Sequence, residues 1–216
     1  MSNRRCLHLV LVLLVLAVLA LGSCRERQGG RGKKPDWVEV TSTTLHVTFT
    51  YDRNVFTDLV ESSTAEFPVR LVSRHYTLGL KRLSGVGGFL AKEPGSDFFK
   101  FFSGGIVRSF IDHNGMSLLE QETLEDFTAQ GRPGVVQFLH MQLPEKRSRV
   151  PAYIPSDVEE VYLYYFHYYF PPDYWYFAAI ARQRLSPEDI AYIVSFIDRV
   201  DFTWRPAETE AGEPEP

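Results

Sequence analysis

"VYLYYFHYYFPPDYWYF", Val161 to Phe177, holds eleven of the chain's 16 Phe, 11 Tyr and 3 Trp residues in seventeen positions. Its period is two. Tyr162, Tyr164, Phe166, Tyr168 and Phe170 project to one side of an extended strand, and Val161, Leu163, Tyr165, His167 and Tyr169 to the other. Pro171-Pro172-Asp173 then reverses the chain into a second apolar run, "YWYFAAIA", so Val161–Ala181 is predicted to be a β-hairpin. With both faces apolar or amphipathic, the hairpin belongs at the centre of a sheet, packed by helices on one side and partly covered on the other. Tyrosine also suits a strand whose outer face keeps its hydroxyls in water. Core and sheet surface is the first interpretation, and an exposed ligand- or protein-binding face is the second.

Working outward, the clearest helix follows the hairpin. Ser186 caps it, Pro187 occupies its first position and Asp189 completes a Ser-x-x-Asp capping box. Ile190, Ile193, Val194 and Ile197 form its apolar stripe, predicted to dock on the hairpin, and a short strand "VDFTW" closes the domain. On the other side, Glu145–Asp157 is a polar loop punctuated by Pro151 and Pro155, and Gly131-Arg132-Pro133-Gly134 supplies a turn between two β-leaning runs. A helix is predicted from Ser96, because Phe99, Phe102, Ile106 and Phe110 fall at three- and four-residue steps. Gly104-Gly105 weakens its middle. "TLHVTFTY" (Thr44–Tyr51) and Tyr76, Leu78 and Leu80 within Pro68–Leu83 alternate as antiparallel strands do.

The N-terminus is expected to leave the mature protein. Arg4 and Arg5 precede an almost unbroken Leu/Val/Ala run, Cys6–Leu21, shorter than the roughly 20 residues of a membrane-spanning helix. Where that run ends, Leu21-Gly22-Ser23-Cys24 resembles the bacterial lipobox. The resemblance implies cleavage after a signal peptide of residues 1–23 and diacylglycerol on the Cys24 thiol. A lipid-anchored protein of the cell envelope is the implied location, on the periplasmic face of the outer or inner membrane if the cell is Gram-negative. Residues 24–36 are the lipidated Cys and a flexible basic tether, "RERQGGRGKKPD" after Cys24. Residues 37–204 form a single globular domain, and 205–216 a disordered acidic tail. Removing Arg4 and Arg5 leaves 21 basic residues against 27 acidic ones, a formal −6 that gives no ground for a nucleic-acid partner. The mature part has no cysteine besides Cys24, which excludes a disulfide framework, a cysteine zinc site and a cysteine nucleophile.

The order of elements, with the hairpin around "TAQGRPGVVQFLHM", the Tyr-rich hairpin, the capped helix "SPEDIAYIVSFIDRV" with its Ser195-Phe196 pair and the final "DF", resembles the Mog1/PsbP-like α+β fold. The resemblance runs from about Leu45 to Phe202 and implies a helix-flanked antiparallel β-sheet whose members mostly bind proteins or support assembly of a membrane complex. It carries over no site residue.

Chemistry is sparse along the chain. The histidines left after cleavage, His46, His75, His113, His140 and His167, stand one to an element, without the His-x-x-x-His or Glu-x-x-His spacing that sets two ligands on one helical face. Gly85-Val86-Gly87-Gly88 lacks the endings of the dinucleotide and phosphate loops and is predicted to be a flexible turn. No Gly-x-Ser-x-Gly elbow surrounds a serine. Glu120, Glu122, Glu125 and Asp126 lack the spacing of a calcium loop and suit a solvated acidic strand. No catalytic residue, metal or cofactor is expected. The expected function is a non-catalytic binding or assembly module with a partner protein in the envelope. A carrier of a small apolar ligand, lined by the aromatic hairpin with Phe98, Phe99, Phe101 and Phe102, is the alternative, and an envelope enzyme the third possibility.

Overall fold

A computed structural model of the chain describes residues 34–84, 97–155 and 157–203. The signal peptide, Cys24, nearly all of the tether, Gly85–Gly88 and the acidic tail lie outside the described residues, as do the side chains of Phe98, Phe99, Phe101 and Phe102. The domain begins with a two-stranded hairpin, β1 (Trp37–Ser42) and β2 (Val47–Asp52). Seven strands then build one antiparallel sheet: β3 (Phe56–Glu61), β4 (Val69–Ser73), β5 (Tyr76–Leu83), β6 (Ser117–Ala129), β7 (Arg132–Gln142), β8 (Glu160–Phe170) and β9 (Asp173–Ala181). Their order across the sheet is β3-β4-β5-β9-β8-β7-β6, which puts the aromatic hairpin β8-β9 inside and leaves β3 and β6 as edges. Among the described residues two α-helices accompany the strands, α1 (Asp97–Asn114) and α2 (Pro187–Asp198).

The sheet has a core on each face. Tyr164, Phe166, Tyr168, Trp175 and Phe177 pack with the β1-β2 hairpin and with Ile193, Phe196 and Ile197 of α2. Val161, Leu163, Tyr165, Tyr174 and Tyr176 pack with Val107 and Phe110 of α1 and with Leu143 and Ile154 of the loop before β8. One helix therefore covers each face, where the sequence placed helices on one side only. Period-two patterning identifies a two-sided strand but does not say what covers each side.

The described residues are mostly sheet, with two α-helices beside it, a weaker helical flank than expected; the central hairpin stands. The capping box forms, with Asp189 N–H donating to Ser186 Oγ at 3.1 Å and Ser186 N–H to Asp189 Oδ2 at 3.1 Å. Other expectations need correction. Among the stripe residues only Ile193 and Ile197 are fully buried. The stripe is turned toward Phe196, whose ring meets Phe49, Phe56 and Phe177 at 5.8, 6.4 and 6.3 Å, so α2 spans β2 and β3 as well as β9. "VDFT" is not a strand. Thr48 and Asp201 form one isolated bridge, after which the Asp201 carboxylate accepts from Thr203 N–H at 2.9 Å and turns the chain. The turn between β6 and β7 sits at Gln130 and Gly131, both at positive φ (48° and 69°), as a two-residue hairpin requires. Pro133 and Gly134 belong to β7. Pro133 is tolerated there because pairing with β8 begins one residue later, at Gly134↔Tyr168.

Candidate functional site

The aromatic hairpin is core and carries no exposed platform. Tyr165, Tyr168 and Tyr174 are fully buried, against the expectation of water-facing hydroxyls. Tyr168 donates instead to the Ala129 carbonyl at 2.8 Å. His167, also fully buried, lies 2.5 Å from the Tyr174 hydroxyl and 3.3 Å from Gln137 Oε1, and burial lowers its pKa to about 3, so it stays neutral. Among the described residues the hairpin's aromatic side chains are packed into the two cores.

Two other places combine accessible space with chemistry. The first is the β6 edge, which includes part of the acidic cluster. Ten of its residues are matched to β7, with irregularities at Leu118/Glu120 and Thr123/Asp126, and no described strand lies beyond it. The first bulge inserts Leu119 and breaks the alternation that buries every second residue, so both leucines are exposed, Leu118 at 42% and Leu119 at 49%. Beside Leu118 runs an open groove of about 650 Å³, lined by Val107, Arg108, Ile111 and Asp112 of α1 and by Gln121. Gly104 and Gly105 also line it, and a Cβ at either would point into open space. Along the strand, Glu120 pairs with Arg184 at 2.5 Å, which holds its carboxyl below the usual range, while Glu122 and Asp126 face water. The side chain of Glu125 lies outside the described residues.

The second place is a smaller pocket, about 270 Å³, at the C-terminal end of α1. Glu66 from the β3–β4 connection, Arg70 from β4, His113 and Asn114 from the end of α1, and Pro151 to Tyr153 form its walls. The Tyr153 hydroxyl donates to Glu66 Oε2 at 3.2 Å, and the Arg70 guanidinium carbon lies 5.3 Å above the Tyr153 ring. Phe67 stands edge-on to both Tyr153 (5.7 Å) and Tyr176 (5.9 Å), and Lys81 Nζ sits 5.5 Å over the Tyr176 ring. Burial raises the Glu66 pKa and prevails over Lys81, the Tyr153 hydrogen bond and His113, all of which pull it down. Burial also pushes the phenols of Tyr153, Tyr165 and Tyr176 upward.

The remaining histidines stay apart. His46 lies in the β1–β2 turn and His75 between β4 and β5, while His140 pairs with Glu160 at 2.7 Å and stacks on Tyr162 at 4.4 Å. Among the described residues no three His, Cys, Asp or Glu side chains converge, and no helix is long and apolar enough to cross a membrane. Sequence reasoning singled out Glu120, Glu122 and Asp126 but missed Leu118, Leu119 and the whole Glu66 pocket.

No family model matches the chain, and no curated protein matches it. Among solved structures it is similar to the solution structure of cyanobacterial PsbP (CyanoP) from Synechocystis sp. PCC 6803, at 9% identity over 80% of this chain and 95% of that one, with a TM-score of 0.46. A likeness of that degree bears on neither site nor partner.

Proposed function

We propose that the chain is a lipid-anchored envelope protein, held through Cys24, whose Mog1/PsbP-like domain is a non-catalytic docking module acting through its β6 edge. The observation that supports this reading is the pair of exposed leucines on a strand edge with no described strand beyond it, beside an open groove partly walled by Val107 and Ile111. Soluble surfaces seldom place adjacent large aliphatic residues where an incoming strand would find free backbone donors and acceptors. The partner that fits is an extended protein segment that pairs with β6, sets apolar side chains against Leu118, Leu119 and Ile111, and presents basic residues to Glu122 and Asp126. The carrier alternative draws less support, because among the described residues the hairpin's aromatic side chains are buried in the two cores.

Two experiments test the reading. Labelling with a fatty-acid analogue should mark the wild type and spare Cys24→Ser; equal labelling of both refutes the anchor. After mild detergent extraction, the protein should migrate in a complex larger than itself, and Leu119→Glu, an exposed change, should release it as a folded monomer. Unchanged migration of that variant refutes the docking edge.

A further inference from the structure

The pocket beside Glu66 has more donors than acceptors. Arg70, Lys81 and His113 surround a single carboxyl, Glu66, and one of its oxygens already accepts from Tyr153. Asp112, one residue before His113, does not line this pocket; it lines an adjoining groove with Ser109, Ser148 and His113 itself. Among the residues that line the pocket, one buried side-chain donor has no acceptor among the described residues, Arg70 Nε. A buried donor without an acceptor carries a desolvation cost that a ligand oxygen removes, most effectively when the donor is charged. The aromatic faces that a cationic ligand would use are already covered, Tyr153 by Arg70 and Tyr176 by Lys81. What fits the space and the surplus of positive charge is an anion of few atoms with several acceptor oxygens.

We propose that the pocket bounded by Glu66, Arg70, His113 and Tyr153 binds a small oxyanion, a phosphate or a carboxylate, on the Arg70 guanidinium. Arg70 presents the planar fork that matches such a group, and its stacking on Tyr153 fixes the fork before the ligand arrives. His113 adds a second donor from the rim. Glu66 competes with the ligand as the one acidic side chain among the described residues that line the pocket, so neutralising it strengthens binding. Its carboxyl offsets part of the positive charge that Arg70 and Lys81 bring to this region.

The test is titration of the full chain with inorganic phosphate and, separately, with acetate, followed by NMR of the His113 ring and the Tyr153 amide. Saturable shifts with either probe are expected, and the probe that saturates first distinguishes a phosphate from a carboxylate ligand. Arg70→Gln should weaken binding about tenfold or more, the loss of a charge-assisted contact. Arg70→Lys, which keeps the charge without the fork, should fall between the two. Glu66→Gln, which keeps a partner for Tyr153, should bind both probes more tightly. Thermal midpoints of the variants, compared with wild type, separate a lost ligand contact from a lost fold. No saturable shift with either probe, equal binding by folded Arg70→Gln, or weaker binding by folded Glu66→Gln would overturn the proposal.

Discussion

Gly79→Ala tests the packing beneath the Glu66 pocket. Gly79 lies on β5, opposite Arg70 on β4 and Ala178 on β9. A Cβ there would stand 2.5 Å from Phe67 Cγ, 2.8 Å from its Cδ1 and 2.9 Å from its Cβ. Ordinary carbon contacts lie at about 3.5–4.0 Å, so Phe67 must move by roughly 1 Å. It cannot swing its ring away, since the atoms struck are the base of the side chain and Phe67 is fully buried between Tyr153 and Tyr176. Overpacking of this kind costs about 1–3 kcal/mol, partly offset by the roughly 0.5–1 kcal/mol that Ala gains over Gly in a strand. In a domain of this size each kcal/mol lowers Tm by about 2–4 °C. Phe67→Ala alone should cost about 3–5 kcal/mol. Added to Phe67→Ala, the Gly79 change should cost nothing or restore some stability, because the new methyl enters the vacated space. Guanidinium denaturation of the four proteins gives the coupling energy directly. An equal cost of Gly79→Ala in both backgrounds would refute the clash as its cause and place the strain in the strand itself.

Ile193→Ala, at a fully buried position of α2, should cost about 2–5 kcal/mol, against nearer 1 kcal/mol for loss of the cap in Ser186→Ala, both read from denaturant midpoints. A cap variant more damaging than the core variant would mean that α2 does not bury this stripe. His167 predicts a pH dependence. Its folded pKa, about 3, lies below the ordinary 6.5, so the unfolded chain binds a proton that the folded one refuses. The stability this confers is complete above pH 6.5 and declines as pH falls toward 3, by up to about 1.4 kcal/mol per unit. His167→Gln, still able to bond Tyr174, should show a shallower acid slope between pH 6.5 and 4.5; an identical slope in folded wild type and variant would place His167 in contact with solvent.

The sequence disclosed those elements whose local signals agree with their tertiary setting. β8-β9 reads plainly because eleven aromatics alternate around Pro171-Pro172-Asp173, and α2 because Ser186, Pro187 and Asp189 each favour a helix start. β3 was missed because "FTDLVE" is an edge strand with only Phe56 fully buried. β4 and β5 merged into one stretch because their turn, Arg74-His75, has neither Gly nor Pro. It is held instead by Ser73 Oγ, which accepts from His75 N–H at 3.2 Å and Tyr76 N–H at 3.0 Å. Gly134 suggests a turn in sequence, yet it is strand, and its lack of a side chain admits the Phe127 ring, 2.3 Å from where a Cβ would stand. The candidate sites were hidden for different reasons. Leu118-Leu119 looks like core until a bulge turns it outward, and Glu66 and Tyr153 are brought together from positions 87 residues apart. No local pattern encodes either.

The claim that the domain docks through its β6 edge is tested most directly by photo-crosslinking in native membranes. A crosslinking residue placed at Leu118 or Leu119 is compared with one at Thr57 on the opposite edge strand, exposed but without adjacent leucines. The account predicts one discrete protein adduct from 118 and from 119 and none from 57. No discrete adduct from 118 or 119, or the same adduct from Thr57, would contradict it.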